Sequence, residues 1–472
     1  MSKLPIKERM KIQRHEIPIQ KAGIRIHNFK EVNQGYTLET AQLEAQRCLQ
    51  CQHAPCVDGC PVHVHIPDFI NHLVEGDVMA AADTLLSDNL LPAICGRVCP
   101  QENLCESRCV LGKKGLPVAI GNLERFTADA SAKARAKQEQ PQIPSQSGKK
   151  VALIGSGPAS LACAGDLARF GHRVTVFEAL HEFGGVLVYG IPEFRLPKTI
   201  VADEVDVLRR LGVRFEKNVV IGKTMTVDEL FKQEGYHAVF IGAGAGLPNF
   251  LGIPGEELIG IYSANELLTR VNLMKAYQKE AATPIFDYRE KDVIVFGGGN
   301  TAIDSARTVL RLGARRVMVA YRRSESEMPA RREEVLHAKE EGVSFVFLTT
   351  PLEFEGDEFG WLKKVSLQRM RLGEPDESGR RRPVPIEGDV FEMEIDLAVI
   401  AIGNGANPLL RDTPGLEFSR WGTLKVDPER LSTKREGIFA GGDIVTGGAT
   451  VISAMGAGRQ AAISIDSYLK TK

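Results

Sequence analysis

Val151-Ala-Leu-Ile-Gly155-Ser-Gly157-Pro-Ala-Ser160 is a short apolar run that breaks into closely spaced glycines and opens onto an alanine-rich stretch, Leu161 to Phe170. The same order of residues returns at Val293-Ile-Val-Phe-Gly297-Gly-Gly299-Asn-Thr-Ala302. Each copy predicts a strand, a glycine turn and a helix. In such a unit the first glycine permits the tight turn, and the second lets a pyrophosphate approach the backbone. The small third residue, Ser160 or Ala302, lets the helix pack on the sheet. One copy alone is weak evidence, since glycine turns are common between strands and helices. Two copies in the same context organise the chain around two dinucleotide sites.

The strand after each turn tells the sites apart. The first ends at Glu178, where a carboxylate accepts hydrogen bonds from a ribose diol and repels a 2′-phosphate. The first site, Gly155, Ser156, Gly157, Pro158, Ala159, Ser160 and Glu178, therefore suits FAD or NAD. The second strand ends in Tyr321-Arg322-Arg323, two guanidinium groups that pair with phosphate and cannot accept from a hydroxyl. The second site, Gly297, Gly299, Asn300, Thr301, Ala302, Arg322 and Arg323, is expected to prefer NADP(H), with Arg331 as a further phosphate contact. The plainer reading of the two arginines is a solvated strand end.

Unalternating apolar runs such as Val174–Phe177, Ala238–Ile241, Val317–Ala320 and Leu397–Ile400 predict parallel strands buried on both faces. With intervening helical stretches at Ile200–Leu211 and Arg331–Glu341, the fold class is α/β, Rossmann-like, with right-handed crossovers. Gly184-Gly185, the late Gly441-Gly442-Asp443 and the stretch Gly448-Ala-Thr450 complete a pattern. It resembles the two-dinucleotide-binding flavoprotein fold, in which the late Gly-Asp returns to the FAD. Gly185, Gly442, Asp443 and Thr450 then join the FAD site. The expected domains are 150–285 and 395–472 for FAD, with 286–394 inserted for NADP(H).

Nine cysteines need a reason, and eight lie between Cys48 and Cys109. Cys163 stands alone in the first nucleotide-binding helix and is read as a small buried residue. No cysteine pair follows residue 110, which excludes the disulfide reductases of this fold. The eight form two runs, Cys48-x2-Cys51-x4-Cys56-x3-Cys60-Pro61 and Cys95-x3-Cys99-Pro100-x4-Cys105-x3-Cys109. Two quartets with Cys-Pro in each point to iron–sulfur clusters, and in ferredoxin-type runs the fourth cysteine of one run serves the other cluster. Cys48, Cys51, Cys56 and Cys109 are thus assigned to one [4Fe-4S] cluster, and Cys60, Cys99 and Cys105 to the other. Zinc is the alternative; structural zinc favours matched C-x2-C hooks, and only one is present. His63 and His65 are read as neighbours of the ligands, not as ligands.

The chain of 472 residues has room for about three domains. Its 59 basic and 60 acidic side chains give no reason to expect nucleic acid or an anionic membrane as partner. Hydrophobic residues at 43% and charged residues at 25% exclude disorder and fibre. No apolar run approaches the ~18 residues that span a bilayer. The charged start lacks the apolar core of a signal peptide, so a cytoplasmic location is expected. Residues 1–130 read as a helical iron–sulfur domain, with helices at Thr40–Arg47 and Ile66–Leu73. Residues 131–149, polar with two prolines, read as a linker.

Taken together, the chain resembles the glutamate synthase small-subunit family, and the same module opens dihydropyrimidine dehydrogenase. The resemblance is carried by Arg47-Cys-Leu-Gln-Cys51, Cys60-Pro-Val-His63, Ile94-Cys-Gly-Arg-Val-Cys-Pro-Gln-Glu102 and Ile120-Gly-Asn-Leu-Glu-Arg125. Beyond the linker it is carried by Gly190-Ile-Pro-Glu-Phe-Arg-Leu-Pro197, Tyr321-Arg-Arg323, Ala401-Ile-Gly403 and Gly441-Gly-Asp443. It implies that Arg195 contacts the flavin and that Ala401 and Gly403 border the nicotinamide. It also implies that Glu124, in preference to Cys95, supplies the fourth ligand of the second cluster. The implied activity is a relay from NADPH through FAD and two [4Fe-4S] clusters to a second redox subunit. With a glutamate synthase large subunit, that relay would serve glutamate formation from glutamine and 2-oxoglutarate. Ile241-Gly-Ala-Gly-Ala-Gly-Leu-Pro248 and the segment from Ser263 to Tyr277 are more similar to the large subunit of electron-bifurcating NADH-dependent ferredoxin:NADP oxidoreductase, a branch also labelled sulfide dehydrogenase. There the partners would be a small FAD/[2Fe-2S] subunit and ferredoxin. A non-catalytic iron–sulfur scaffold is the remote alternative. No Ser/His/Asp set for acyl transfer is found, and the cofactors would carry the chemistry.

Overall fold

The apolar runs from residue 150 onward assemble into two sheets, because strands flanked by helices can bury both faces only side by side and in parallel. The structure, a computed structural model, describes residues 4–135 and 146–472. The first five-stranded sheet has the order Ile438–Ala440, Ala238–Ile241, Lys150–Ile154, Arg173–Glu178, Arg214–Lys217, with every pairing parallel. The second has the order Ile261–Ser263, Leu397–Ile400, Asp292–Phe296, Arg316–Tyr321, Ser344–Phe347, again wholly parallel. An antiparallel three-stranded sheet, Thr349–Gly356, Leu362–Pro375 and Arg381–Glu394, projects from the second unit.

The strand membership moves two expected boundaries. Ile261–Ser263 and Leu397–Ile400 both lie in the second sheet, although 150–285 and 395–472 were expected to belong to the first. A short apolar run carries no label for the sheet it joins. What marks the passage between units is the pairing of Leu247–Pro248 with Asn404–Gly405, where the outgoing and returning chains run antiparallel. The middle of the expected linker, 136–145, lies outside the described residues.

The amino-terminal part is helical, built on Leu38–Ala45, Ile66–Glu75, Val78–Asp88, Pro92–Val98 and Ile120–Arg135. Thr37 and Asp77 cap two of these, accepting from the amides of Thr40 (3.2 Å) and Ala80 (2.9 Å), and proline occupies the first turn of two others. This part has no separate core. Phe69, Ile70, Leu73, Ile94 and Leu123 are continuous with Leu161, Cys163, Leu208 and Met455 of the first dinucleotide unit. Arg169 and Arg459 of that unit donate to carbonyls of Leu86 (2.9 Å) and Ser87 (3.3 Å), satisfying the last turn of the Val78–Asp88 helix. Among the described residues no single helix is long and apolar enough to cross a membrane.

The second dinucleotide unit is held differently, by buried charge. Arg25 donates to Glu341 (2.6 Å) and pairs with Glu340 (2.7 Å), while Arg307 and Arg311 converge on the same Glu341 (2.6 and 2.7 Å). Arg195 pairs with Asp304 (2.7 Å) and Glu334 (3.2 Å), and Arg307 also pairs with Glu334. Burial by itself would raise the Glu334 carboxyl; Arg195 and Arg307 overcome it and hold the group at about 2. Glu341 is held low in the same way by Arg307 and Arg311 against the effect of burial.

Removing Arg25 leaves part of a buried carboxylate set uncompensated. Arg25→Ala should cost about 3–5 kcal/mol of stability, read as a lower urea midpoint. Because the folded Glu334 pKa lies below its ordinary 4.5, its stabilisation is fully present above that value and drains away toward about pH 2. The urea midpoint of Glu334→Gln should therefore depend less on pH across this window than that of the parent.

Candidate redox sites

At the first turn the helix Pro158–Arg169 begins at Gly157, directly after the Lys150–Ile154 strand. A Cβ at Gly157 would meet nothing nearer than 4.0 Å, and at the equivalent Gly299 of the second turn it would meet nothing within 4 Å. The two helix N-termini thus face open space, which is the space a pyrophosphate needs. The preceding glycines are packed instead: a Cβ at Gly155 would lie 2.7 Å from the Gly242 carbonyl oxygen, and at Gly297 2.3 Å from that of Ala401. Ser160 and Ala302 are fully buried where helix meets sheet. Pro158 and Ala159 form the first turn of one helix, and Asn300 and Thr301 that of the other.

Glu178 is buried at its strand end. Its Oε2 accepts from the Ser156 amide (2.9 Å) and hydroxyl (2.5 Å), and its Oε1 from the Leu180 amide (2.8 Å). Oε1 keeps capacity for a further donor, so the carboxylate can brace the turn and still receive a ribose hydroxyl. Ser156 Oγ in turn accepts from the Gly184 amide (2.9 Å), and Gly185 abuts Gly157. Gly442 packs on Ala159, and Asp443 accepts from the Ala449 amide (3.2 Å) while burial raises its carboxyl. Thr450 caps the helix Val451–Lys470 by accepting from the Ser453 amide (3.2 Å).

Three of the arginines expected at the cofactors also hold partners within the protein. Arg195, expected at the flavin, is buried and committed to Asp304 and Glu334. Arg331, expected at a phosphate, is buried against the cysteine domain, donating to the Arg97 carbonyl (2.7 Å) and Gln101 (3.1 Å). Arg323 is buried and donates to Asp376 (2.6 Å) at the tip of the antiparallel sheet. In each case an acceptor distant in sequence has claimed the guanidinium. Arg322 remains exposed beside the second turn, and so does Gly403, next to the buried Ala401.

The cysteines gather in two groups. Cys48, Cys51, Cys56 and Cys109 line one apolar cavity with Ile66, Pro67, Ile70 and Val118, and all four thiols are part-exposed. Burial pushes Cys48 up to about 11 and Cys56 to about 12, with Cys109 adding to both. Cys60, Cys95, Cys99 and Cys105 form the second group with Glu124, and the last three thiols are buried. Burial lifts Cys60 to about 11 and Glu124 to about 8. Cys99 is raised by its hydrogen bond with Cys95 and by burial. Donors raised in this way become ligands only beside strong positive charge, so eight thiols in two sets fit iron clusters.

Asn89 is a residue that the sequence reading missed. Fully buried, it donates to Glu124 Oε1 (2.7 Å) and accepts from the Leu91 amide (3.0 Å), with Cys95 Sγ 3.7 Å from its Oδ1. Asp376 and Met455 were missed too. Asp376 and Met455 lie far in sequence from the motifs they touch, while Asn89 stands six residues before Cys95 and its partner Glu124 is 35 residues on.

Residues 25–136 match the family described as dihydropyrimidine dehydrogenase domain II, 4Fe-4S cluster, and residues 149–458 match pyridine nucleotide-disulphide oxidoreductase. The NADPH glutamate synthase small chain of Halomonas elongata is 38% identical over 453 residues, covering 95% of each chain. The NADP(+)-dependent formate dehydrogenase subunit beta of Moorella thermoacetica is 40% identical over 439 residues, 88% of this chain and 60% of that one. FprA of Mycobacterium tuberculosis, in complex with NADPH, shares the fold at 20% identity and a TM-score of 0.57, over 68% of this chain and 85% of that one.

The two kinds of glycine separate by mutation. Gly299→Ala should leave the melting temperature unchanged and weaken binding of nicotinamide dinucleotide by fluorescence titration. Gly297→Ala, clashing with a backbone carbonyl, should cost about 1–3 kcal/mol of stability.

Proposed function

The chain belongs to the family of the NADPH glutamate synthase small chain, and from that premise we propose that it is the relay subunit that feeds electrons from NADPH to a partner enzyme. It is an NADPH-dependent iron–sulfur flavoprotein oxidoreductase with FAD, NADP and [4Fe-4S] clusters as cofactors. Bound FAD supplies the junction where an electron pair becomes single electrons, and the clusters carry these one at a time.

The residues divide the work. Gly157 and Gly299 leave room for the two pyrophosphates, and Glu178 accepts from the FAD ribose. Arg322, the free guanidinium of the expected pair, takes the 2′-phosphate. Asp443 and the N-terminus of the Val451–Lys470 helix border the flavin side, and Ala401 with Gly403 the nicotinamide side. Cys48, Cys51, Cys56 and Cys109 hold the outer cluster. Cys60, Cys99 and Cys105 hold the inner one with Glu124, whose carboxylate Asn89 orients; Cys95 stays a thiol.

The observation that carries this reading is the placement of the two cysteine groups. Three of the four inner cysteines are buried, with Cys95 Sγ 3.5 Å from Met455 Sδ of the FAD unit, whereas all four outer ones are part-exposed. Such a gradient of exposure suits an inlet at the flavin and an outlet at the surface. We assign the outlet to a glutamate synthase large subunit in the cytoplasm. The relatives' names pair this module with more than one enzyme, so the relay is the shared part. The glycine-rich Ile241–Pro248 segment, which forms part of the crossing between units, keeps a second reading in play, with ferredoxin and a small flavoprotein as partners.

Anaerobically prepared protein should contain FAD and iron, and NADPH should bleach the flavin before the clusters. Protein that binds neither cofactor would sink the relay reading. Glutamine-dependent glutamate formation with a large subunit supports the first partner, and ferredoxin reduction the second. Arg322→Ala should raise KM for NADPH about 10- to 100-fold, the ~1.5–3 kcal/mol of a charge-assisted hydrogen bond, and hardly change that for NADH.

A further inference from the structure

The C-terminal helix Val451–Lys470 touches both halves of the relay within a single turn. Met455 is fully buried, and its Sδ lies 3.5 Å from Cys95 Sγ. At the next residue, a Cβ on Gly456 would come within 2.9 Å of the carbonyl oxygen of Pro61, the residue that follows Cys60. Two residues further, a Cβ on Gly458 would lie 2.0 Å from the carbonyl oxygen of Ala159, in the first dinucleotide turn. The helix backbone is therefore pressed between the inner cysteine group and the FAD cradle. The side chain against the inner cysteines is an unbranched thioether, which fills irregular gaps.

We propose that the Met455-Gly456 step is the contact through which electrons pass between the flavin and the inner cluster, with Met455 as the positioning residue that closes the gap. This rests on the relay reading above. Electron tunnelling weakens steeply across empty space, so a packed route counts for more than any single bond. The balance is simple. With the cofactors bound, a hydride from NADPH would leave NADP+ and place an electron pair on the flavin. The first electron would cross to the inner cluster and move on to the outer one before the second follows, so that each cluster gains one electron, and the proton brought with the hydride would leave to solvent. No bond to Met455 forms or breaks. Shape, not chemistry, is what this side chain supplies.

Met455→Ala opens the gap. In anaerobic rapid mixing with NADPH, cluster bleaching should slow several-fold relative to flavin bleaching. The electron paramagnetic resonance signal of the reduced inner cluster should change, while that of the outer cluster stays as in the parent. Met455→Leu, which refills the space, should restore both the rate and the signal; an unchanged flavin step and outer-cluster signal in Met455→Ala are what a loss of general stability would not give. Gly456→Ala, which pushes the Pro61 turn outward, should slow the same step. An unaltered cluster rate and signal in Met455→Ala, or in Gly456→Ala should the first variant fail to fold, overturns the proposal. Parent protein lacking flavin or iron overturns the relay itself, a distinct outcome visible before any variant is made.

Discussion

The organisation of this protein depends on the absence of side chains along one seam. At Gly456 and Gly458 the C-terminal helix meets backbone carbonyls of the cysteine domain and of the FAD turn at distances no Cβ would tolerate. Close packing of this kind holds the lining atoms in contact and leaves no gap to cross. It also explains why the helical domain and the first dinucleotide unit share one hydrophobic core. Neither could move relative to the other without opening it.

The second dinucleotide unit is joined by a contrasting device. Domains within one chain are by default able to shift, because their interfaces are small and polar. Here Arg25, from the amino-terminal segment, reaches Glu340 and Glu341 of the nucleotide unit, and Arg331 of that unit reaches back to Arg97 and Gln101. Buried ion pairs are poor sources of net stability, since desolvation offsets their attraction. What they do impose is geometry, because a misplaced unit would strand several charges in the interior. The arrangement fits a relay whose donor and acceptor distances must not drift.

The motifs that define the chemistry were legible, for reasons that are local. Gly155 and Gly297 are demanded by the turn itself, and Gly157 and Gly299 by what must approach it. Cysteine spacing within each run reflects the reach of a few residues around a compact site, and the exchange of the fourth cysteine between ferredoxin-type runs sorts the two groups. What the motifs did not show is the second set of partners: Arg195, Arg323 and Arg331 have the right chemistry for flavin or phosphate, and within the protein they meet Asp304, Asp376 and Gln101.

By itself the amino-acid sequence determined the α/β class, the two glycine turns and the two cysteine runs. The turns and the runs are written in residues a few positions apart, close enough to act on one another through the backbone. The tertiary structure alone decided which sheet the strands at 261–263 and 397–400 would join, which charges would neutralise each other, and that Asn89 and Met455 would stand beside the inner cysteines. Those outcomes depend on contacts between residues up to hundreds of positions apart, and long-range packing leaves no periodic trace along the chain.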